Sequence, residues 1–268
     1  MPPSTQSPVS AVVIPARYAS TRFPGKPLAR QTGKYLIEHV VEQVKKAKKA
    51  DVVLVATDDP RIFDAVHGFG GKAVMTSNAH HSGTDRIAEV IRKPEYANVK
   101  FVVNVQGDEP DIDPTLIDQL IEALEKGHGE IPMATVATPF AHAKDIENPN
   151  LVKVVTDQKQ CAIYFSRAVI PYDRDRHANG APLGAGPGGV YRRHLGIYAY
   201  TREALLTLSG SPVCELERLE KLEQLRALYL GMKIYVQQTA HAPHGVDTPD
   251  DYASFVKRYN QLNEHSND

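Results

Sequence analysis

Short apolar runs alternate with longer amphipathic segments over the first 140 residues, and this alternation limits the possible folds more than any other feature. Residues 11–15 are apolar on both faces, as a strand inside a parallel sheet is, and residues 51–57 are the second predicted strand. Residues 34–50, between them, place apolar side chains at helical spacing. Strand, crossover helix and strand then recur, which predicts an α/β fold with a mostly parallel, Rossmann-like sheet and helices on both faces. The other strands of this part are expected at 72–76, 101–106 and 133–139, and the other helices at 60–67, 83–92 and 115–126.

The pattern changes after about residue 140. Residues 151–156 and 161–167 are typical of a hairpin, and a loop rich in glycine and proline follows at 173–189. Leucines at helical spacing predict one long helix over residues 212–230. Further strands are expected at 193–200 and 233–239, and a final helix after the capping residue Thr248. This second part is predicted to be smaller and partly antiparallel.

Composition excludes several classes of protein. The 31 basic and 32 acidic residues give a net charge of −1, whereas nucleic-acid binders usually carry a clear basic excess. The two cysteines form no CxxC pair and no zinc-binding cluster, which indicates a reducing compartment. The N-terminus lacks the features of a signal peptide, and no apolar run approaches the ~18 residues of a membrane span. We therefore expect a cytoplasmic protein with a disordered start over residues 1–9, no nucleic-acid partner and no membrane insertion.

Three cations lie within ten residues directly after the first strand, namely Arg17, Arg22 and Lys26. Small and hydroxyl-bearing residues separate them, and Gly25 allows a turn. Ligands of open α/β sheets bind beyond the carboxyl ends of the strands, and a polyphosphate needs several cations and N–H donors together. The loop is therefore a candidate phosphate site, although it is not a Walker loop because GxxxxGK[ST] is absent. A solvated basic loop is the alternative.

Two carboxylates follow strands at distant points of the sequence. Asp108 follows the fourth strand in VQGDEP, and Asp247 follows the last strand in GVDTP. Opposite a cationic loop, the two acids together favour a hard cation such as Mg²⁺ beside nucleotide phosphates, whereas each alone is also compatible with a turn or a cap. The segment from Ser82 to Arg86 begins a predicted helix, where unpaired N–H groups can meet a ligand or Ser82 can act as an N-cap.

Other enzyme chemistries lack their signatures. The glycine-rich run at 184–189 does not lie between a strand and a helix of a βαβ unit, so it does not read as a dinucleotide loop. GxSxG and HExxH are both absent, which argues against a nucleophile-elbow hydrolase and against a zinc protease.

Eight segments together resemble one family: IPARYASTRFPGKPL, ATDDPRI, SGTDRIAEV, VNVQGDEP, YFSRAVIPY, RHLGIYAY, LEKLEQLRAL and GVDTPDD. The set is similar to that of the 3-deoxy-manno-octulosonate (Kdo) cytidylyltransferases, over about residues 12–252. The resemblance implies that CTP and Kdo react to give CMP-Kdo and pyrophosphate for lipopolysaccharide biosynthesis. It also implies Mg²⁺ as the cofactor, the nucleotide-diphospho-sugar transferase fold and a homodimer.

The resemblance assigns roles to individual residues. The catalytic residues are Arg17, Lys26, Asp108 and Asp247, and the last two are the metal ligands. The nucleotide-binding residues are Ala16, Arg17, Arg22, Lys26, Ser82, Gly83, Thr84, Asp85, Arg86 and Gln106. The sugar-binding residues are Arg167, His194, Gly196, Tyr198, Glu220 and Gln224. Glu220 and Gln224 are four apart and are expected on one helical face, with neighbouring Glu223 as the alternative to Glu220.

With these roles, the chain is expected to form one compact domain with three functional parts. Residues 10–140 are the nucleotide-binding core, 141–210 the sugar-binding and dimerisation portion, and 211–265 the return to the core with the C-terminal helix. The run at 179–190 is expanded relative to the family pattern, which leaves the geometry of the sugar-side loop open. Two alternative functions also stay open: activation of sialic acid or amino-Kdo, and a non-catalytic nucleotide-sugar sensor on the same fold.

Overall fold

The computed structural model describes residues 9–19, 21–80, 82–127, 129–175, 183–184, 186, 189–240 and 242–264. The predicted α/β class is confirmed. The strands are β1 Ser10–Ala16, β2 Val52–Thr57, β3 Ala73–Met75, β4 Phe101–Asn104, β5 Met133–Pro139, β6 Lys153–Thr156, β7 Ala162–Ser166, β8 Arg192–Thr201 and β9 Ile234–Gln238. The α-helices are α1 Leu36–Val44, α2 Pro60–Gly68, α3 Gly83–Arg92, α4 Pro114–Lys126, α5 Ala143–Ile146, α6 Arg202–Gly210, α7 Glu215–Glu220, α8 Gln224–Tyr229 and α9 Pro249–Glu264.

The chain divides into two compact units. The first comprises Met1–Asp118 and Pro243–Asp268, and the second comprises Gln119–Ala242. The functional parts predicted at 10–140, 141–210 and 211–265 stay a prediction, because compactness says nothing about which ligand each part binds. Residues 1–8 of the predicted disordered start and much of the 173–189 loop lie outside the described residues. Val9, the last residue of that start, is described, and its amide donates to Asp51 Oδ2 at 2.8 Å.

The sheet of the first unit is parallel, with strand order β3-β2-β1-β4. The interior of β1 is buried, and Val12 pairs with Val53 of β2 on one side and with Val103 of β4 on the other. Parallel strands end at the same edge of their sheet, so the loops after β1 and β4 leave the sheet side by side. This is the edge where the sequence predicts chemistry.

The ends of two helices in the first unit are set in different ways, one by a local cap and one by a distant carboxylate. The Ser82 side chain accepts a hydrogen bond from Asp85 N, which caps α3 as one of the two sequence readings predicted. The helix predicted over 34–50 is shorter, since α1 ends at Val44. Beyond it, the Lys48 and Lys49 amides donate to the Asp118 carboxylate at 3.1 and 2.8 Å instead of to helix carbonyls.

The second unit holds a mixed sheet in which β5 pairs parallel with β9 and antiparallel with β8. The predicted hairpin is confirmed as β6 and β7, which pair antiparallel, and β6 also pairs with β8. The Asp157 carboxylate closes the hairpin turn by accepting from Lys159 N and Cys161 N, each at 2.8 Å. The helix α6, capped by Thr201, was not predicted from the sequence. None of the helices in the described part of the chain is long and apolar enough to cross a membrane.

The single helix predicted over residues 212–230 is wrong. Lys221 adopts the left-handed conformation, with φ of 54°, and separates α7 from α8. The Glu220 carboxylate before it turns to Ser166 and to the backbone of Arg167, which fixes the chain at the break. Tertiary contacts therefore override the helix-forming sequence of LEKLEQLRAL.

Candidate active site

Three segments that follow or begin regular elements meet at Pro15 in the first unit. A Cβ added to Gly107, after β4, would lie 3.0 Å from the Pro15 carbonyl oxygen. A Cβ added to Gly83, at the start of α3, would lie 3.2 Å from Pro15 Cγ. Only glycine fits these approaches without displacing a neighbour. The end of β1, the N-terminus of α3 and the start of the loop after β4 therefore pack against one another, and several of the predicted nucleotide-binding residues lie on these segments.

Lys26 joins the two predicted metal ligands. Its ammonium lies 2.7 Å from Asp108 Oδ2 and 3.7 Å from Asp247 Oδ1. These two carboxylate oxygens are therefore at most 6.4 Å apart, the sum of the two distances. The same ammonium donates to the Val246 carbonyl at 2.7 Å. The Lys26 side chain is only 12% exposed, which limits the solvent screening of its ion pair with Asp108. The structure thus brings together two acids that are far apart in the sequence.

The backbone and core hold this convergence in place. Val246 N donates to the Asp108 carbonyl at 2.8 Å, which ties the loop before α9 to the loop after β4. Val246 is itself buried in a cluster with Leu36, Tyr252 and Phe255. Because α1 and α9 contribute to that cluster, the position of Asp247 depends on hydrophobic packing as well as on its ion pairs.

The other cations of the loop differ in their surroundings. Gly25 has a φ of 70°, and its amide donates to the Tyr18 carbonyl at 3.0 Å, which closes the loop just before Lys26. Arg22 lies 3.0 Å from Asp247 Oδ1, but both side chains are at least half exposed, so solvent screens this pair. Arg17 is partly buried and has no ion-pair partner among the described residues, which leaves its guanidinium for an anion.

The predicted residues of α3 separate into two groups. Ser82 and Gly83 lie at the helix N-terminus, where Ser82 also donates to the Asp85 carboxylate at 2.9 Å. Thr84 is buried, and Arg86 is fully buried. The Arg86 guanidinium lies 3.1 Å from Asp58 Oδ2, an ion pair by distance that is not aligned as a hydrogen bond.

A second contact fixes the buried guanidinium. Arg86 Nη1 donates to Thr76 Oγ1 at 2.5 Å, so the side chain connects α3 to the residues that follow β2 and β3. The position of Arg86 supports a structural role for its side chain. Gln106 follows β4, is partly buried and donates to Asn104 Oδ1 at 3.4 Å.

The second unit contains a cavity of about 360 Å³ that collects most of the predicted sugar-binding residues. His194, Gly196 and Tyr198 all belong to β8, and all three line the cavity. Gln224 lines the same cavity and is nearly fully buried, and no partner is present for its Nε2 among the described residues. The remaining lining residues are Asn150, Leu151, Val152, Arg193, Lys221, Leu222 and Glu223.

His194 and Tyr198 are uncharged in this setting. Burial lowers the pKa of His194 to about 3, and its Nε2 lies 2.9 Å from Thr135 Oγ1. Burial also raises the pKa of Tyr198 well above its ordinary value of 10. The two rings lie 5.4 Å apart between centroids, and Phe165 packs edge-on against His194 at 4.9 Å. This wall of the cavity offers neutral hydrogen-bonding groups and ring surfaces to a ligand.

Arg167 and Glu220 do not line the cavity, because they bind each other and neighbouring backbone. Arg167 Nε donates to the Glu220 carbonyl at 2.7 Å, and the Glu220 carboxylate accepts from Ser166 Oγ at 2.6 Å and from Arg167 N at 2.9 Å. Glu223, the alternative considered from the sequence, does line it. The spacing argument that placed Glu220 on the same face as Gln224 assumed an unbroken helix.

Comparison with known proteins adds to this geometry. A sequence model of a family described as cytidylyltransferase matches residues 11–234. The 3-deoxy-manno-octulosonate cytidylyltransferase of Aliivibrio fischeri strain MJ11 is 52% identical over 241 residues, which cover 90% of this chain and 94% of the relative. That of Syntrophotalea carbinolica is 49% identical over 239 residues, covering 89% and 94%. A solved CMP:2-keto-3-deoxy-manno-octonic acid synthetase complexed with CTP has a TM-score of 0.84 and 41% identity, covering 94% of this chain and 99% of its own.

The family match extends through both units, and the chain belongs to the cytidylyltransferases, a class of nucleotidyltransferases. The two sequence relatives share one more specific name, and each aligns over at least 89% of this chain. Among the cytidylyltransferases, the chain groups with the 3-deoxy-manno-octulosonate enzymes.

Proposed function

We propose that this enzyme transfers CMP from CTP to 3-deoxy-manno-octulosonate, giving CMP-Kdo and pyrophosphate for lipopolysaccharide biosynthesis. The observation that carries the proposal is the convergence of Asp108 and Asp247 on Lys26, in a loop that also carries Arg17. Relatives that are 49% and 52% identical carry this activity in their names, and a neighbour of similar structure was solved with CTP. The same residues would be needed by any enzyme that must bind a triphosphate and neutralise its charge.

Charge neutralisation is the task of the cationic loop. In the proposed reaction the anomeric hydroxyl oxygen of Kdo forms a bond to the α-phosphorus of CTP, and the bond from that phosphorus to pyrophosphate breaks. Positioning and electrostatic stabilisation supply most of the catalysis in such transfers. Arg17, Arg22 and Lys26 would bind the phosphate oxygens and stabilise the negative charge on the departing pyrophosphate. We assign no general base to a protein side chain.

The donor set around Lys26 fits Mg²⁺. Mg²⁺ is usually held by one or two carboxylates, with substrate phosphates and water completing the shell. Asp108 and Asp247 supply two carboxylates, and no cluster of three or more metal-ligating side chains occurs among the described residues. We therefore propose these two residues as the ligands. Bound there, the cation would polarise a phosphate oxygen and lower the pKa of the attacking hydroxyl.

The cavity of the second unit suits the sugar. Neutral His194 and Tyr198, with the amide of Gln224 and the carboxylate of Glu223, provide acceptors and donors for sugar hydroxyls. Lys221 adds a cation that complements an acidic sugar. Sugar binding by Arg167 and Glu220 stays a prediction, and their mutual contacts support an indirect role.

Pyrophosphate release measures the proposed reaction directly. The enzyme with Mg²⁺ should release pyrophosphate from CTP only when Kdo is present, and much more slowly from UTP or ATP. Parallel reactions with sialic acid and amino-Kdo test the alternative substrates. Release at equal rates with sialic acid would contradict the assignment of the sugar. Binding of CTP without pyrophosphate release, with every sugar, would support the sensor instead.

The homodimer, which rests on the resemblance, and the cytoplasmic location, which rests on the cysteines and the N-terminal sequence, remain predictions. Light scattering coupled to size-exclusion chromatography checks the first, since a dimer has twice the 29.5 kDa of the chain. Cell fractionation checks the second. A monomer that retains full activity would show that dimerisation is not needed for catalysis.

A further inference from the structure

A fully buried lysine in the second unit is not used by the proposed chemistry. Lys153, the first residue of β6, has no exposed surface, and burial lowers the pKa of its ammonium. Its Nζ donates to the carbonyl oxygens of Asn148, Leu151 and Arg167 at 3.1, 2.9 and 2.6 Å. It has no carboxylate in ion-pair contact among the described residues. The Glu220 carboxylate favours the charged form only from beyond ion-pair distance. Burying an ammonium on carbonyl oxygens is costly, so a lysine here indicates a requirement that an apolar residue would not meet.

The three carbonyls connect the lysine to the first wall of the sugar cavity. Asn148 and Leu151 bracket a turn, and residues 150–152 line the cavity. The Arg167 guanidinium holds the same turn from outside, because its Nη1 donates to the Pro149 carbonyl at 2.9 Å. Lys153 therefore fixes both the turn and the end of β7 with one group that has three donors.

The second wall is joined to the first through Arg167. The Arg167 side chain donates to the Glu220 carbonyl at 2.7 Å, and the Glu220 carboxylate accepts from Arg167 N at 2.9 Å. Residues 221–224 follow directly and form the opposite part of the cavity lining. The contacts thus run without interruption from the 150–152 wall, through Lys153 and Arg167, to the 221–224 wall.

We propose that Lys153 is a positioning residue for the acidic sugar, which sets the spacing of the two cavity walls without touching the substrate. The proposal rests on the proposed function, since it names the determinant of sugar affinity in that reaction. The geometry requires three diverging donors at a single point. Methionine has similar length and no donor, and arginine retains the charge but arranges its donors in a plane.

Steady-state kinetics of Lys153→Met and Lys153→Arg test the proposal. Lys159→Met is the matched control, because Lys159 is exposed in the turn of the same hairpin. We expect the KM for Kdo to rise by about tenfold or more in Lys153→Met, while kcat at saturating Kdo and the KM for CTP stay within about twofold, as for loss of uniform binding. Lys153→Arg should show an intermediate KM for Kdo, and Lys159→Met should match the unaltered enzyme.

Two results would overturn the positioning role. One is an unchanged KM for Kdo in a folded Lys153 variant. The other is a fall in kcat with no change in either KM, which signals a smaller active fraction. If Lys153→Met does not fold, the rise in melting temperature on adding ligand is measured for Lys153→Arg instead. Kdo should raise the melting temperature of this variant less than that of the unaltered enzyme, whereas CTP should raise both equally. Equal rises with Kdo would reject the proposal. Failure of the unaltered enzyme to release pyrophosphate with Kdo would instead reject the proposed function.

Discussion

Acidification should destabilise this protein through His194, and one substitution isolates the effect. The imidazole is buried beside Thr135 and Phe165, and burial lowers its pKa to about 3. In the unfolded chain the same group has its ordinary pKa of about 6.5. The native histidine therefore stays neutral at pH values where the unfolded one becomes protonated.

The direction and size follow from proton linkage. Between the folded pKa of about 3 and the unfolded pKa of about 6.5, the unfolded state binds more protons, so stability rises with pH across that window. Each pH unit well inside the window changes the free energy of unfolding by about 1.4 kcal/mol. Lowering the pH from 7.5 to 5.5 should therefore remove about 1.4 kcal/mol of stability through His194, because protonation of the unfolded histidine begins only near pH 6.5.

Urea unfolding followed by circular dichroism at pH 7.5, 6.5 and 5.5 measures the effect. His194→Gln is the comparison, since glutamine keeps a polar group near Thr135 and does not titrate. The pKa of His39 is also lowered by burial, but His39 is present in both proteins and cancels in the difference. We subtract the free energy of unfolding of His194→Gln from that of the unaltered protein. This difference should fall by about 1.4 kcal/mol from pH 7.5 to 5.5. A difference that stays constant within about 0.3 kcal/mol would refute the reasoning. It would mean that His194 has the same pKa in the folded and unfolded states, which gives no linkage.

Three further substitutions probe the site and the frame around it. Asp247→Asn should reduce kcat by at least about 100-fold with little change in melting temperature. The control Asp250→Asn, which changes an exposed neighbour, should keep a near-normal kcat. A comparable loss of kcat in both variants would contradict the special role of Asp247. Gly107→Ala should lower the free energy of unfolding by about 1–3 kcal/mol, because its Cβ would meet a backbone oxygen at 3.0 Å. Gly210→Ala, with open space around the added Cβ, should not lower it. Equal stabilities of the two variants would show that the contact at Gly107 relaxes freely. Lys221→Gly should stabilise the fold by about 0.5–1 kcal/mol in urea unfolding, since glycine adopts the left-handed conformation without strain, at some cost in chain entropy. A loss of stability would mean that contacts of the lysine side chain outweigh the backbone strain.

The sequence was sufficient for the parts of the fold that local pattern determines. Apolar runs located β1, β2 and β4, and the rule that parallel strands end at a common edge led to Asp108 as a site residue. Asp247 required an additional step, the expectation that a remote carboxylate returns to the same edge. The contact of both acids with Lys26 agrees with that expectation, although their roles as metal ligands stay predictions.

The sequence failed where long-range contacts override local preference. Residues 212–230 contain no glycine break before Lys221, and leucines at helical spacing indicate a continuous helix. The break comes from the contacts of Glu220 with the end of β7, which no local pattern reveals. The argument that Glu220 and Gln224 share a helical face fails for the same reason, since they lie in different helices. Glu223 then replaces Glu220 in the cavity lining.

The meeting of Gly83 and Gly107 at Pro15 bears on how such an enzyme can diversify. At both glycines the close approach to Pro15 depends on a missing side chain, which can make no contact of its own with a ligand. Residues proposed to bind the phosphates, such as Arg17, take no part in these two glycine contacts, so we expect their exchange to leave the contacts in place. Added bulk at either glycine, by contrast, would press against Pro15 and disturb the end of β1 together with the segment that carries the glycine.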